Sequence, residues 1–140
     1  MSRNRKKIKM EKLINRKLKE FKMVGIVGPY YGNGVWDVIE ENVLRAESVA
    51  IALANLEIPF YCAHLHTRHF ETKAHASEDF YKKQNMYLLT TTCSAILVLP
   101  GWKTSSGTLA EIAEFKRLGR PIFYVEKGGL EQVEEWVKEK

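Results

Sequence analysis

At 140 residues, 45% of them hydrophobic and 28% charged, the chain is long enough for one folded domain with a full core. No apolar run reaches the length of a membrane span, and no secretory leader pattern is evident. Cys62 and Cys93 lack zinc-type spacing and stand in apolar surroundings, so we expect reduced, buried thiols in a cytoplasmic protein.

The positive charge is concentrated in residues 1–22, which carry ten Lys or Arg against two Glu. This segment has a net charge of +8, and because the total is +5 the remaining chain is at −3. Its apolar residues are spaced as in a basic amphipathic helix: Ile8, Leu13, Ile14, Leu18 and Phe21. The segment is either an arm for nucleic acid or another acidic partner, or a solvated or oligomer-packing extension. The absence of a base-reading motif favours the extension.

A first strand is predicted over Met23–Gly28, followed by a turn-rich loop over Gly28–Gly34. The glycines of this loop do not fit the G-x-G-x-x-G spacing of dinucleotide sites. Two interpretations stay open. The loop is either a plain turn or a cover for a sugar or phosphate, in which Tyr30 or Tyr31 stacks or hydrogen-bonds.

An amphipathic helix is predicted over Val35–Leu56, and a second strand over Ile58–Ala63. The expected inner stripe of the helix has six members: Val38, Val43, Ala46, Val49, Ala50 and Leu53. Asn42 and Arg45 lie near the first turns, where they either point to the crevice above the sheet or lie on the surface.

All four histidines of the chain fall between His64 and His75. At strand spacing His64 and His66 would share one face. Zinc binding, substrate binding and proton supply are all open to such a cluster, but no third metal ligand is dictated. The position at a carboxyl edge of the sheet favours substrate binding, and no metal is expected.

A third helix is predicted over Ser77–Thr92, with Ser77 as its N-cap. Its expected packing face has six members: Phe80, Tyr81, Gln84, Tyr87, Leu88 and Leu89. The apolar run Ala95–Leu99 is typical of a buried parallel strand.

After the loop Trp102–Gly107 the pattern predicts a helix that ends before Gly119, then a strand over Pro121–Val125 and a last helix over Leu130–Lys140. The central helix is marked by four residues at helical spacing: Leu109, Ile112, Ala113 and Lys116. Alternating strands and helices with right-handed crossovers predict an α/β fold. We expect a three-layer α/β/α doubly wound parallel sheet, flavodoxin-like, with four to five strands.

In such a sheet ligands bind at the carboxyl ends of the strands. Gly107 would let a ligand approach the backbone there, and the free N–H groups of the helix start suit an anion. Glu111 stands one turn inside this helix. It either faces the crevice, or it only completes a capping box with Thr108.

A set of motifs along the chain resembles the nucleoside 2-deoxyribosyltransferase-like proteins: Gly28-Pro29-Tyr30, Asn42 and Ala46, Pro59-Phe60 and His64, Cys93, Leu99-Pro100-Gly101-Trp102, and Ser105-x-Gly107-x-x-x-Glu111. The resemblance covers about residues 23–126 and is greatest to a small phage and bacterial branch with GPY and LPGW. That branch is related to the 2′-deoxynucleoside 5′-phosphate N-hydrolases. The resemblance implies a family domain over residues 23–140 and leaves residues 1–22 as a basic N-terminal extension.

The resemblance implies that Glu111 is a nucleophile that attacks C1′ of a nucleoside or nucleotide, so that the base leaves and water or a second base takes the sugar. No cofactor is implied, and subunits would complete each other's sites in a homodimer or higher homo-oligomer. Residues expected to bind the substrate are Gly28, Tyr30, Tyr31, Asn33, His64, Asn85, Trp102, Ser105 and Gly107.

The sequence departs from the family where aspartates are expected, two turns before the third strand and directly before it. The corresponding residues are Asn85 or Met86, and Ser94. Neither Asn nor Met can do acid–base work. Asp79 lies too early on the helix, by roughly 10 Å of helix rise. Either a histidine from 64–69 replaces the missing group, or the activity is altered, or the protein binds nucleotide without cleaving it.

A weaker resemblance connects Pro100-Gly101 and Gly107-Thr108-x-x-Glu111 to the PGGxGTxxE motif of the cytokinin-type phosphoribohydrolases. The main alternative is a non-catalytic nucleotide-binding or regulatory protein on the same fold.

Overall fold

A computed structural model describes residues 2–139 of the chain. Its sheet contains four parallel strands: β1 (Val24–Val27), β2 (Phe60–Cys62), β3 (Ala95–Val98) and β4 (Ile122–Tyr124). The spatial order is β2-β1-β3-β4, with Val24 opposite Phe60 on one side and Ala95 on the other. This is the flavodoxin-like order, so the predicted fold class is confirmed.

The helices are α1 (Arg3–Glu20), α2 (Trp36–Asn55), α3 (Ala63–His66), α4 (Glu78–Thr92), α5 (Ser106–Arg117) and α6 (Gly129–Lys138). Single 3₁₀ turns occupy Phe70–Thr72, Trp102–Thr104 and Val125–Lys127. Among the described helices, none combines the length and the apolar character needed to cross a membrane.

Two apolar clusters, one on each face of the sheet, make up the core. Val24 and Ile26 of β1 pack with the inner residues of α2 and with Val133 of α6. Val27, the next residue along, packs on the opposite face with Ile112 and Phe115 of α5, and Leu89 of α4 belongs to the same cluster. Because side chains alternate along a strand, four short strands support both helical layers, which gives the three-layer arrangement.

Helix α1 lies against the domain through one face. Leu18 is buried, Arg117 reaches Glu11 at 3.0 Å, and the buried Arg120 donates from Nε to Asn15 Oδ1 at 2.8 Å. Arg120 also donates from Nη1 to the carbonyl oxygen of Thr90 at 2.6 Å, so one guanidinium joins α1 to α4. The amphipathic helix predicted for residues 1–22 is therefore present and packed on the domain.

The predicted packing faces were wrong in part. Val38 is 39% exposed, while Ile39 and Asn42 take inner positions of α2. On α4, Phe80 and Tyr87 are exposed, and Leu89 is the buried residue. The physical reason is that a helix with apolar residues on several sides can be rotated about its axis in more than one way, and the fit to the sheet selects one.

The helix predicted to end before Gly119 is present as α5, whereas the histidine segment departs from its prediction. On α5, Leu109 and Ala113 are exposed, and the inner face is formed by Thr108, Glu111, Ile112 and Phe115. The second strand ends at Cys62, and the chain turns at once into α3. His64 and His66 therefore lie on one helical turn, and the shared strand face predicted for them was wrong. Both cysteines are free and buried, and burial raises the pKa of each thiol to about 11.

Candidate functional site

A cavity of about 860 Å³ opens at the carboxyl ends of β1 and β3. Four parts of the chain line it: the end of β1 with its following loop, the segment from Ala63 to Glu71, the first half of α4, and the N-terminal half of α5. These parts are far apart in sequence and meet here because β1 and β3 are neighbouring strands that point the same way. The volume lies in the range of sites for nucleotide-sized ligands.

Glu111 lies in the wall of this cavity and is only 9% exposed. Asn85 of α4 donates a hydrogen bond from Nδ2 to Glu111 Oε2 at 2.6 Å. Burial raises the pKa of Glu111 to about 7, and the hydrogen bond from Asn85 opposes that rise. The carboxyl group therefore keeps its proton to a higher pH than an exposed glutamate does, and it is held by one amide and buried beside an open cavity.

The capping interpretation of Glu111 is wrong. The N-cap of α5 is Ser105, whose hydroxyl accepts from the Thr108 backbone N–H at 3.3 Å and lies 2.8 Å from Thr108 Oγ1. Because the helix begins at Ser106, Glu111 stands beyond the first turn and cannot reach the cap residue's N–H.

The start of α5 forms one wall of the cavity. Ser105, Ser106 and Gly107 line the cavity, and a Cβ placed on Gly107 would meet nothing within 4 Å. Gly107 therefore borders open space, as a backbone that a ligand approaches must do. The N-terminal end of the 12-residue helix carries partial positive charge and unpaired N–H groups, which favour a phosphate or another anion.

The loop after β1 is fastened at several points. Asn42 donates from Nδ2 to the Tyr30 carbonyl oxygen at 3.0 Å, and His64 donates from Nε2 to the Pro29 carbonyl oxygen at 2.8 Å. Gly28 is required for packing, since a Cβ there would lie 2.6 Å from Leu99 Cβ. These contacts hold Tyr30 and Tyr31 along the cavity.

His64 is a neutral hydrogen-bond acceptor in this arrangement. Its Nε2 carries the proton because its partner, a carbonyl oxygen, only accepts. Nδ1 is then unprotonated, and it is buried without a partner. Burial lowers the pKa of His64, with the Pro29 contact opposing. The imidazole can therefore accept a hydrogen bond at Nδ1 but is a poor proton donor at neutral pH.

A chain of polar contacts behind Tyr30 could not be seen in the sequence. The Tyr30 hydroxyl donates to Glu71 Oε2 at 2.7 Å and accepts from the His69 backbone N–H at 3.0 Å. The His69 ring lies 2.6 Å from Glu40 Oε2 through Nε2, 3.6 Å from Glu71 Oε1 through Nδ1, and stacked on Trp36 at 4.6 Å. Burial, followed by the contact with Glu71, raises the pKa of Tyr30 well above its usual value, so the phenol stays protonated.

The fold brings together most of the predicted site residues. Cavity-lining members of the predicted set are Gly28, Tyr30, Tyr31, His64, Asn85, Ser105, Gly107 and Glu111. Asn33 is exposed in the loop and does not line the cavity. Trp102 lies outside it as well, because its Nε1 donates to Glu126 Oε1 at 2.9 Å and its ring packs on Tyr124.

Of the positions compared with the family aspartates, some line the cavity and others lie away from it. Asn85 and Met86 both line the cavity, and Asn85 is the one that contacts Glu111. Ser94 is buried elsewhere, where its hydroxyl accepts from the Met23 backbone N–H at 3.2 Å. Asp79 is on the surface of α4 in an ion pair with Lys83. Arg45 is exposed on α2.

Several lining residues had no signal in the sequence. Besides Glu71 they include Glu78, Tyr81 and Lys82 of α4. The three α4 residues lie in the first turns of their helix, near the edge of the sheet. This position is the one feature that could have indicated that they line the cavity. Over residues 2–139, no group of three or more His, Cys, Asp or Glu is arranged to hold a metal ion.

Comparisons of the chain with protein-family models, with curated proteins and with solved structures found no match.

Proposed function

We propose that this protein cleaves the N-glycosidic bond of a nucleoside or nucleotide, as an N-glycosidase or a 2-deoxyribosyltransferase, with Glu111 as the nucleophile. The observation that carries the proposal is the buried Glu111 carboxyl group, oriented by Asn85 and open to a nucleotide-sized cavity. The motif resemblance supports the same reaction.

In the first step an ionised Glu111 oxygen attacks C1′ of the sugar. The C1′–N bond breaks, its electron pair leaves with the base, and the base takes up a proton from water that enters the cavity. In the second step water, or a second base, attacks C1′ and releases the Glu111 carboxylate, so that two inversions retain the configuration at C1′. The proton of the attacking nucleophile passes to solvent.

The start of α5 supports the placement of a sugar phosphate in this scheme. On the same wall of the cavity, Ser105, Ser106 and Gly107 lie six, five and four residues before Glu111. A phosphate at the helix N-terminus would leave C1′ within reach of a carboxylate on the next turn. Tyr30 and Tyr31 on the facing loop offer aromatic rings to the sugar or the base.

The test is release of free base, measured by liquid chromatography over a panel of nucleosides, nucleoside monophosphates and NAD. Glu111→Gln keeps the shape and the contact with Asn85 but removes the nucleophile, so base release should fall at least 10³-fold, on the scale of lost covalent catalysis. Glu114→Gln is the matched control, because Glu114 lies on the same helix, pairs with Arg117 and does not line the cavity. Adding a second free base separates transfer from hydrolysis.

A second candidate function is nucleotide binding without cleavage. Asn85 stands where a carboxylate acid is expected, and His64 is neutral with its one N–H on Pro29, so neither donates a proton to a leaving base. Calorimetric titration distinguishes the two: tight binding of a nucleotide with no base release by the wild type would favour this candidate.

A further inference from the structure

The outward face of α1 carries a continuous stripe of cations. Its five members follow each other at spacings of four, three, four and three residues: Arg5, Lys9, Lys12, Arg16 and Lys19. This spacing keeps them on one side of a helix, and all five are exposed. From first to last the stripe extends about 21 Å along the helix axis.

The side of α1 that contacts the domain is a different one. Glu11, Ile14 and Asn15 are partly buried, and Leu18 is buried. These residues recur at three- and four-residue spacing, as for one helix face, and they place the cationic stripe well away from the contact with α5. The stripe is thus presented to solvent by a helix already fixed to the protein.

The charge of the stripe is not balanced by the chain. Within the described part of the protein, none of the five cations forms a salt bridge. Like charges three or four residues apart destabilise a helix, so the stripe carries a cost that an external polyanion would offset. Glu11 gives no relief, because it pairs with Arg117.

We propose that the stripe Arg5–Lys19 binds the phosphate backbone of a nucleic-acid duplex. Neighbouring stripe side chains are about 5–6 Å apart at Cβ, close to the separation of successive phosphates. About 21 Å of duplex axis presents roughly six phosphates on each strand. The recognition is of backbone charge, without base readout, since Arg and Lys point outward along one line and no reading element accompanies them.

The distribution of apolar residues separates this proposal from binding to an anionic membrane. A membrane-surface helix needs one apolar face free to enter the lipid. In α1, Ile14 and Leu18 are turned to the domain, and the exposed Ile8 lies on one side of the stripe while Met10 and Leu13 lie on the other. The exposed apolar residues of the helix do not form a continuous face, because Lys6 and Lys17 lie one turn before Met10 and one turn after Leu13 on the same side.

The helix is held in place before any ligand binds. The contacts of Glu11, Asn15 and Leu18 with the domain are joined by Lys22, whose Nζ donates to the carbonyl oxygens of Trp136 and Glu139 at 2.7 Å each. Binding would therefore not have to order the helix, which removes one cost of association. The proposal does not depend on Glu111 or on the cavity.

The test is fluorescence anisotropy of labelled 20-base-pair DNA and RNA duplexes, titrated with the full chain between 50 and 200 mM salt. Five phosphate contacts predict a slope of log K against log salt of about −4.5, hence a loss of affinity on the order of 10²–10³-fold over this range. The tighter of the two duplexes identifies which nucleic acid is bound. A slope weaker than about −1, or capture by vesicles containing anionic phosphatidylserine with no duplex binding, would overturn the proposal.

A matched pair of triple variants separates the stripe from overall charge. Lys9→Gln, Lys12→Gln and Arg16→Gln together should reduce the slope by about 2.7 and weaken binding at 100 mM salt on the order of 10²-fold. The control, Lys73→Gln, Lys83→Gln and Lys138→Gln, changes net charge equally at exposed sites elsewhere and should change the slope by less than about one. Equal weakening by the two variants, at unchanged circular dichroism, would contradict a role for the stripe.

Discussion

Ionisation of Glu111 connects the candidate site to the stability of the protein. Its pKa is raised from 4.5 to about 7, so between these values the folded state binds more protons than the unfolded state. The contribution of Glu111 to stability is greatest below pH 4.5 and falls as the pH rises through the folded pKa, by about 3 kcal/mol in total. The cost at high pH is that of a buried carboxylate with one hydrogen-bond donor.

Glu111→Gln should therefore raise the free energy of unfolding at pH 8, by up to about 3 kcal/mol, and leave it nearly unchanged at pH 4. Urea unfolding of both proteins at the two pH values measures the difference. Glu114→Gln, at a partly exposed carboxylate paired with Arg117, serves as control and should show no such gain. An equal effect of Glu111→Gln at both pH values would refute the assignment of a raised pKa to this carboxyl group.

Asn85 stabilises the ionised form of Glu111 through its amide donor. Asn85→Ala should raise the pKa of Glu111 further. In a plot of the rate of base release against pH, the rising part of the curve should therefore move to higher pH by about one unit. The pH profile of base release measures this displacement. Asn33→Ala, in the exposed part of the loop, should leave the curve in place; a shift of the same size there would assign the effect to the loop as a whole.

At the scale of elements, the loop between β1 and α2 depends on the Tyr30 hydroxyl. Tyr30→Phe removes a donor to Glu71 and an acceptor for the His69 N–H, and leaves both partly buried groups without this partner. We expect a loss of about 1–3 kcal/mol in the free energy of unfolding. Tyr31→Phe, at a half-exposed side chain in the same loop, should cost less than about 0.5 kcal/mol in the same denaturation experiment. Equal losses for the two variants would contradict the hydrogen-bonded role of Tyr30.

The contact of α1 with the domain depends on Leu18. Leu18→Ala should destabilise the protein by about 1–2 kcal/mol, because it removes a buried side chain at the edge of the core. Leu13→Ala removes the same atoms from a residue that is 41% exposed and should change stability by less than about 0.5 kcal/mol. Thermal unfolding compares the pair. If the two variants melt together, α1 does not pack on the domain as described.

The sequence predicted elements and their order better than helix phases. Alternating apolar runs and amphipathic segments leave few topologies for a parallel sheet, so β2-β1-β3-β4 followed from the chain order. The phase of a helix, meaning which of its sides packs on the sheet, is harder to predict than the order of the elements. Tyr87 is 68% exposed although it was placed on the packing face, because α4 has aromatic residues on several sides and contact with the sheet decides which are buried.

For the candidate site too, the sequence predicted the location better than the contacts between side chains. A position of Glu111 at the cavity could be expected, because the loop after a central strand and the helix after that loop lie at the ligand-binding edge. Spacing alone left capping open, and the family resemblance favoured a site role. The tautomer of His64, the engagement of Trp102 by Glu126 and the Tyr30–Glu71–His69 contacts could not be predicted, because each is set by a partner distant in sequence. Spacing along one chain carries no information on such pairs.

Across the whole molecule, α5 joins the cavity to the helix that carries the cationic stripe. Its first turn borders the cavity, and Arg117 at its last turn contacts Glu11 of α1, about 17 Å further along the axis. The cavity and the cationic stripe are therefore connected through α5, yet they can be tested separately because they share no residue.

The most direct test of the central claim is detection of a pentosyl group on Glu111. Once the panel has identified a substrate, its 2′-fluoro analogue, which slows the second step, is incubated with the protein, and the digested chain is analysed by mass spectrometry. We predict the mass of one sugar unit on the peptide that contains Glu111, and its absence from Glu111→Gln treated alike. Release of base with no sugar on this peptide, or with the same sugar mass in the variant, would contradict Glu111 as the nucleophile.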